Sequence, residues 1–350
     1  MTITSLTKRR LLAALGWLLA LSCGAVSAQS QLPPTVTLLV GYAPGGSVDA
    51  ISRVLAQALQ EELKTTVIVE NKAGAGGRIA AAQFKRAATD GSVVMIAPNA
   101  LTTVQSLVYA DKIAYNVVKD FVPLARLVSV RVALTVPGTS NVKTPADLRA
   151  WLKANPDQGN FGVPSMGGMA HFAGLLFAKA SDVRWTPVAY QGGPPLLTDL
   201  IGGRITGGVD ALTDHMEHSR SGKVRVLGIF SQNRSTLAPE IPTLREQGVN
   251  VMNVDVWYGA FVPAGTPQRT IDVLEAALKK ISADKNYIAQ AQKLVLEPSF
   301  LGGAEFRQLQ ADELAQWAPI IRESGFKPEE RPEQSRARLL HADAAGASRN

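Results

Sequence analysis

The chain has 350 residues, 46% of them hydrophobic and 19% charged, with one cysteine and a formal charge of +7. That length suits about two domains, each able to bury a core, and the apolar fraction excludes disorder as the main state. A single cysteine excludes a fold built on internal disulfides.

The first segment changes the reading of the charge. Lys8, Arg9 and Arg10 precede an uncharged run from Leu11 to Ser22, followed by Val26-Ser27-Ala28 with small residues at the spacing a signal peptidase reads. A basic start, a short apolar middle and a small-residue end predict a secretory signal over 1–28. Arg9-Arg10 also fits a twin-arginine signal, which leaves the export route open. Cys23 lies inside this segment, but the leucine of Ala20-Leu21-Ser22 stands one place too close to it for a lipobox, so removal is preferred over lipidation. Without its three basic residues the chain keeps 33 of its 36 lysines and arginines against 29 acidic residues, a charge of +4. That is too weak a balance to attract nucleic acid. With no second long apolar stretch, the remainder reads as a soluble, exported protein.

Four times an apolar or β-branched run ends in a glycine-rich turn that feeds an amphipathic helix. Val36–Val40 leads through Gly41-Tyr42-Ala43-Pro44-Gly45-Gly46 to a helix with Ile51, Val54, Leu55, Ala58 and Leu59 on one face. Val67–Val69 leads through Glu70-Asn71-Lys72 to Gly74-Ala75-Gly76-Gly77 and a helix to about Ala88. Asn160–Val163 leads to Ser165-Met166-Gly167-Gly168 and a helix from His171 to Ala180. Val188–Tyr190 leads to Gly192-Gly193 and a helix through Leu200, with Pro194 tolerated in its first turn. Further strands are expected at Ser92–Ala97, Val130–Val136, Val209–Ala211, Val224–Phe230 and Gly259–Val262. A long helix follows Gly265-Thr266-Pro267 to about Ile281. Another starts near Ala304, carries Phe306, Leu309, Leu314, Trp317 and Ile321, meets Pro319 and stops by Gly325. Alternation of strands and helices implies an α/β fold with parallel sheets. From Lys327 onward periodicity fades into a loose tail.

A ligand facing such glycine turns meets N–H donors with no partner inside the helix, backed by the positive end of the helix dipole. Ser47 or Asp49 can cap the first helix. The resulting site suits an anion and needs no arginine and no metal. The same glycines also serve simply as tight strand-to-helix turns. Two turns lie early in the chain and two after residue 160, so facing each other across a cleft they would hold one anion from both sides.

Enzyme patterns fail. The dinucleotide fingerprint breaks at Ile79, which follows Arg78 where glycine or alanine is required, and a nucleophile elbow around Ser165 needs a glycine at Val163. A hydrolase using Ser165 and His171 would lack a placed acid. His215 and His218 share a helical face beside Asp214 and Glu217; a metal site is one reading, and a solvated polar face explains the same residues without a third ligand. His171 opens a helix beside a turn, either as a ligand contact or loop-ordering donor or as a structural histidine.

Taken together, several spaced motifs resemble a known family. Tyr42-Ala43-Pro44-Gly45-Gly46 with Asp49 and Arg53, Val69 through Gly77, His171-Phe172-Ala173-Gly174, Tyr190 through Pro195, Asp199 through Gly203, Arg234-Ser235 with Pro239 through Thr243, and Trp257-Tyr258-Gly259 with Pro263 through Pro267 are similar to the solute-binding proteins of tripartite tricarboxylate transporters, the Bug family. The resemblance covers nearly all of the chain after the signal. It implies a two-lobe α/β fold of the periplasmic-binding-protein type (type II), with a hinge and an interlobe cleft. Lobe 1 is placed at 29–125 and 255–326, lobe 2 at 126–254, and the tail at 327–350.

The resemblance further implies a periplasmic, monomeric, non-enzymatic protein without cofactor. It would take a small organic carboxylate, largely through main-chain amides, and deliver it to the membrane subunits of a transporter, or as an alternative pass its closed form to a signalling receptor. Carried over by position, the first-lobe contacts are Tyr42, Ala43, Gly45, Gly46 and Asp49, with Asn71 and Asn99. Across the cleft they are Ser165, Met166, Gly167, His171, Gly192, Gly193 and Asp210. The third turn departs from the family pattern at Pro164 and Met166, which leans towards a carboxylate with an apolar or aromatic body; Met166 buried in the lobe core is the alternative.

Overall fold

The first glycine turn sets the pattern of the molecule. In the computed structural model, which describes residues 32–323 and Phe326, strand β1 at Thr35–Val40 runs into helix α1 at Ser47–Leu63. Helix α1 buries Ile51, Leu55 and Leu59, with Val54 and Ala58 half-buried at the edge of the stripe; a fully buried Leu or Ile is worth roughly 1.5–3 kcal/mol. Strand β2 at Thr66–Asn71 follows, then a 3₁₀ turn at Ala75–Gly77 and helix α2 at Arg78–Phe84. The expected run to Ala88 is cut short, because the amides of Arg86 and Ala87 turn back to the carbonyls of Gln83 and Phe84 and tighten the chain out of the α-helix.

Strand β3 is Val93–Pro98, followed by a π-helical turn at Ala100–Val104 and short helices α3, Gln105–Val108, and α4, Val117–Asp120. The expected strand over Val130–Val136 is two strands, β4 at Phe121–Val130 and β5 at Val132–Pro137. Helix α5 at Pro145–Ala154 is started by a capping box between Thr144 and Asp147, a sequence signal that the reading above passes over. Then come β6 Asn160–Val163, α6 Met169–Ser181, β7 Thr186–Ala189, α7 Gly193–Ile201, β8 Gly207–Ala211, α8 Leu212–Arg220 and β9 Val224–Ile229. The chain ends with β10 Val256–Pro263, α9 Gln268–Ser282, α10 Lys285–Lys293, β11 Glu297–Gly302 and α11 Gly303–Glu323, which continues through Pro319. Phe306, Trp317 and Ile321 are buried along α11, and Leu309 and Leu314 half-buried.

Two sheets result, ordered β11-β4-β10-β3-β1-β2 and β7-β6-β8-β5-β9. They are mixed rather than parallel. The β-α-β cores are parallel, β1 with β2 and β3, and β6 with β7 and β8. In contrast β10 lies antiparallel to β3 and β4, β11 to β4, and β5 to β8 and β9. The antiparallel members at the heart of the sheets are those where the chain passes from one sheet to the other, so no crossover helix within a sheet dictates a parallel course.

That passage explains the split strand. Val130 pairs with Val256 in the first sheet and Val132 with Ala211 in the second, which leaves Arg131 alone between them. The first sheet draws its strands from 35–130 and 256–302, the second from 132–229. The expected signal and tail, together with Cys23 and Gly325, lie outside the described residues. Among the described residues no helix is long and apolar enough to cross a membrane.

Candidate functional site

Strand-to-helix turns from both sheets open into one pocket of about 60 Å³. The first sheet supplies Tyr42 and Ala43 after β1, with Gly46, Ser47 and Val48 at the start of α1. From the second come Pro164 and Ser165 before α6, with Met169 and Ala170 in its first turn, and Gly192 and Gly193 at the start of α7. Asp210 and Ala211 end β8, and Asp214 stands in the first turn of α8. Pro98, Ala100, Val132, Val256 and Tyr258 complete the wall. Four helices therefore point their N-terminal ends into the same small volume, where unpaired N–H groups and the positive ends of the dipoles favour negative charge.

The first turn owes its shape to a brace beneath it. Gly45 sits at φ +86°, a left-handed conformation that a side chain would strain, and its amide donates to Asp49 Oδ2 at 2.9 Å. Asp49, 3% exposed, is paired at 2.9 Å with Arg53, and Asn71 Nδ2 donates to the carbonyl of Tyr42 at 3.2 Å. Burial works to raise the pKa of Asp49, but hydrogen bonds from Arg53, the Gly45 amide and Asn71, with the Arg53 charge, hold it below the usual carboxylate range. Gly45, Asp49 and Asn71 thus support the turn from outside the pocket wall. The N-cap of α1 is Gly46, with no side-chain cap, so neither Ser47 nor Asp49 plays the capping part expected of it.

Two turns touch directly. The Ala43 amide donates to the carbonyl of Gln191 at 3.2 Å, so this N–H serves the fourth turn. The Ser47 hydroxyl donates to Asp214 Oδ2 at 3.3 Å and shares a 2.6 Å hydrogen bond with the Tyr258 hydroxyl. The second glycine turn is not in the wall: Tyr42 OH donates to the Gly76 carbonyl at 3.2 Å, and Gly76 packs closely against Ser165 and Gln105.

The acids of the pocket stand together. Burial pushes the Asp210 carboxyl well above the usual range and the neighbouring Asp214 pushes it further; burial raises Asp214 as well, against the hydrogen bonds from Ser47. His215, fully buried, holds Nε2 at 4.0 Å from Asp210 Oδ2, and burial, then the nearby His218, press its pKa down to about 4, leaving it neutral near pH 7.

Of the residues expected to bind, Tyr42, Ala43, Gly46, Ser165, Gly192, Gly193 and Asp210 share this wall. Met166 and Gly167 do not; the Met166 carbonyl accepts from Tyr109 OH at 3.4 Å, while Pro164 does line the pocket. His171 is also outside the wall. Its Nδ1 accepts from the Gly167 amide at 3.2 Å, its ring packs on Phe172 and Phe326, and burial lowers its pKa to about 4. It orders the third turn as an acceptor, whereas the sequence left a ligand contact, a loop-ordering donor and a structural histidine open. Burial pushes the Tyr42 phenol up, and Ser165 beside it works against that shift.

Asn99 faces the other way. Its side chain donates to the Asp255 carbonyl at 2.9 Å and to Glu313 at 3.4 Å. Burial pushes Glu313 up to about 7 against hydrogen bonds from Trp257, Thr103 and Asn99. This cluster borders a second cavity of about 670 Å³ that also carries Arg126, Arg131 and Arg245.

Ser47, Asp214 and Tyr258 are the polar residues of the pocket wall that the expected site leaves out. The sequence offers Ser47 as a cap, places Asp214 beside the histidines and shows Tyr258 only within a motif.

Residues 51–326 match the family described as the tripartite tricarboxylate transporter family receptor. The chain belongs to this family of periplasmic solute-binding proteins. It is 30% identical over 320 residues to protein BugT of Bordetella pertussis, across 91% of this chain and 98% of that protein. Its fold is similar to that of the periplasmic binding protein BugD, with a TM-score of 0.78 and 27% identity over 84% of this chain and 99% of the other. It is likewise similar to MatC from Rhodopseudomonas palustris with bound malate, with a TM-score of 0.76 and 26% identity over 82% of this chain and 98% of that one.

Proposed function

We propose that the chain is an exported, non-enzymatic receptor that holds a small organic carboxylate in the pocket and hands it to the membrane subunits of a tripartite tricarboxylate-type transporter. It works in the periplasm as a monomer, without a cofactor. The observation that carries this reading is the convergence of the starts of α1, α6, α7 and α8 on one pocket. Ser47 at the start of α1 supports it further, since its hydroxyl already donates to a carboxylate, that of Asp214. Malate in the related MatC is a ligand of the same class.

Capture would proceed by two lobes, 29–125 with 255–326 and 126–254, closing on the ligand. Closure would desolvate the anion and surround it with N–H donors fixed by the helix starts, where each charge-assisted hydrogen bond is worth on the order of 1.5–3 kcal/mol.

A calorimetric and thermal-shift screen of mono-, di- and tricarboxylates tests the reading, with neutral sugars and amides for comparison. Carboxylates should bind and raise the melting temperature. Gly46→Leu should abolish that binding in a folded protein: Gly46 has an ordinary φ of −82°, a methyl there would stand 3.3 Å from Pro194, and the longer side chain would fill the space in front of α1. Stabilisation by neutral solutes alone, or unchanged affinity in Gly46→Leu, would overturn the reading.

A further inference from the structure

We propose that the cavity behind β10 is a second ligand site, which takes a polyhydroxylated anion, a sugar acid or a sugar phosphate, with its oxyanion between Arg126 and Arg245. The site lies outside the pocket assigned above and is independent of the carboxylate reading.

Val256, the first residue of β10, lines both spaces, so they stand back to back. At about 670 Å³ the cavity has the size that encloses small organic ligands. Both passages of the chain between the sheets border it, the first through Arg131 and the second through Asn253 and Asp255. An occupant would touch both sheets at once.

Two cations of the wall lack a counterion. Arg126 on β4 is half-buried and spends Nε and Nη2 on the carbonyl and hydroxyl of Ser299, at 2.9 and 2.5 Å. Three of the five N–H groups of a guanidinium remain. Glu313 and Asp255 act on Arg126 through space, while burial, the larger effect, works against its charge. An anion in the cavity would offset that cost.

Arg245 stands exposed on the segment after β9, with no hydrogen bond or ion pair among the described residues. Its neighbour Glu246 is committed to Arg234 at 2.9 Å. The segment is fastened to β9, since the Leu244 amide donates to the Ile229 carbonyl at 3.0 Å and the Ile229 amide to the Pro242 carbonyl at 3.1 Å. Arg245 is thereby tied to the second sheet, and Arg126 belongs to the first.

The other charges of the wall are met or weakened. Arg131 and Glu297 pair at 2.6 Å. Glu313 accepts from Trp257 and Thr103, and burial raises it to about 7, so it is partly neutral near that pH. Asp255 is exposed and accepts from Asn253 at 2.7 Å. The balance is positive by a small margin, which suits a singly or doubly charged ligand. Guanidinium groups take carboxylate and phosphate in a side-by-side geometry. Around them the hydroxyls of Ser129 and Ser231 and the amides of Gln232 and Gln316 offer donors and acceptors together, as the hydroxyls of a sugar body require.

The test is titration calorimetry of the full-length Gly46→Leu protein, whose first pocket is filled, with gluconate, glucose 6-phosphate, glucose and sulfate. Gluconate or glucose 6-phosphate should bind about tenfold or more tightly than glucose, which lacks the charge, and than sulfate, which lacks the hydroxyls. The tighter of the two identifies the oxyanion as carboxylate or phosphate. Arg245→Gln and Arg126→Gln, each added to Gly46→Leu, should weaken that anion at least fivefold, with melting curves checking the fold, and Arg126→Lys should recover part of the loss. Should Arg126→Gln unfold, Arg245→Gln decides alone, since Arg245 is exposed and unbonded. Arg149→Gln removes another exposed arginine, from α5, and should change nothing. No binding by any of the four probes, glucose or sulfate bound as tightly as the sugar anions, unchanged affinity in Arg245→Gln, or an equal loss in Arg149→Gln would overturn the proposal.

Discussion

Arg131 and Glu297 meet side by side, Nε to Oε1 at 3.1 Å and Nη2 to Oε2 at 2.6 Å, at the one residue that separates β4 from β5. Ser235, on the segment after β9, donates to the same Oε1 at 2.8 Å. One carboxylate thus fastens one passage between the sheets and a loop near the other. Glu297→Ala should lower stability by on the order of 2 kcal/mol in urea unfolding, since it strands a half-buried guanidinium. Glu297→Gln should lose less. Unchanged stability in the alanine variant would show the pair to be a surface ornament.

Gly193 has space for nothing but hydrogen, because a methyl would meet Asp210 Oδ2 at 2.9 Å and crowd Asp214 more severely. Gly193→Ala should therefore cost about 1–3 kcal/mol of stability and weaken ligand binding at least tenfold. Gly203→Ala is the control: Gly203 has φ +67° but nothing within 4 Å, so its cost of about 1 kcal/mol should come from backbone strain alone, with affinity unaltered. Equal affinities in the two variants would remove the acid pair from the site.

The acids also give stability a pH signature. Burial raises Asp214 to about 7, so the native state holds that proton longer than the unfolded chain; the contribution is full below the unfolded value and is lost as pH rises through about 7. His171 and His215, lowered to about 4 by burial, act oppositely, adding stability that is lost as pH falls towards 4. The wild-type profile mixes these with the raised Asp210 and Glu313. Subtraction isolates one of them: Asp214→Asn should gain on the wild type between pH 5 and pH 8 by about 1 kcal/mol or more. A flat difference across that range would contradict the shift.

Asn99→Asp tests the placement of Asn99. A second acid against Glu313, itself raised to about 7 by burial, should destabilise the protein by about 2 kcal/mol at pH 8 and much less at pH 5, where Glu313 is protonated. Carboxylate affinity should not change. A loss of affinity with stability intact would return Asn99 to the ligand pocket.

The glycine turns were legible because their chemistry is local: a β-branched run, a residue forced to positive φ and an amphipathic stripe lie within about twenty positions of one another. Strand β11 was not, since every residue from Glu297 to Gly302 is half-buried and shows no alternation. The antiparallel course of β10 escaped for another reason, because nothing in Val256–Pro263 says that it lies between β3 and β4. Ser47 finds Asp214 and Tyr258 at 167 and 211 residues away, a juxtaposition no spacing rule reaches. Asn99 fell to the opposite error, as its neighbours Pro98 and Ala100 do line the pocket while its own side chain points to Glu313.

The bonds from Ala43 to Gln191 and from Ser47 to Asp214 join the two sheets through protein groups alone. At about 0.5–1.5 kcal/mol for a neutral pair, and more for one to a carboxylate, they stabilise this arrangement of the two sheets by themselves, which is the shut form if the lobes close as proposed. Occupied and empty receptors would then differ in how often they are shut rather than in whether they can shut. On the proposed reading, loaded and unloaded receptors would then be told apart by population, and Ser47→Ala would shift that population by removing one of these bonds.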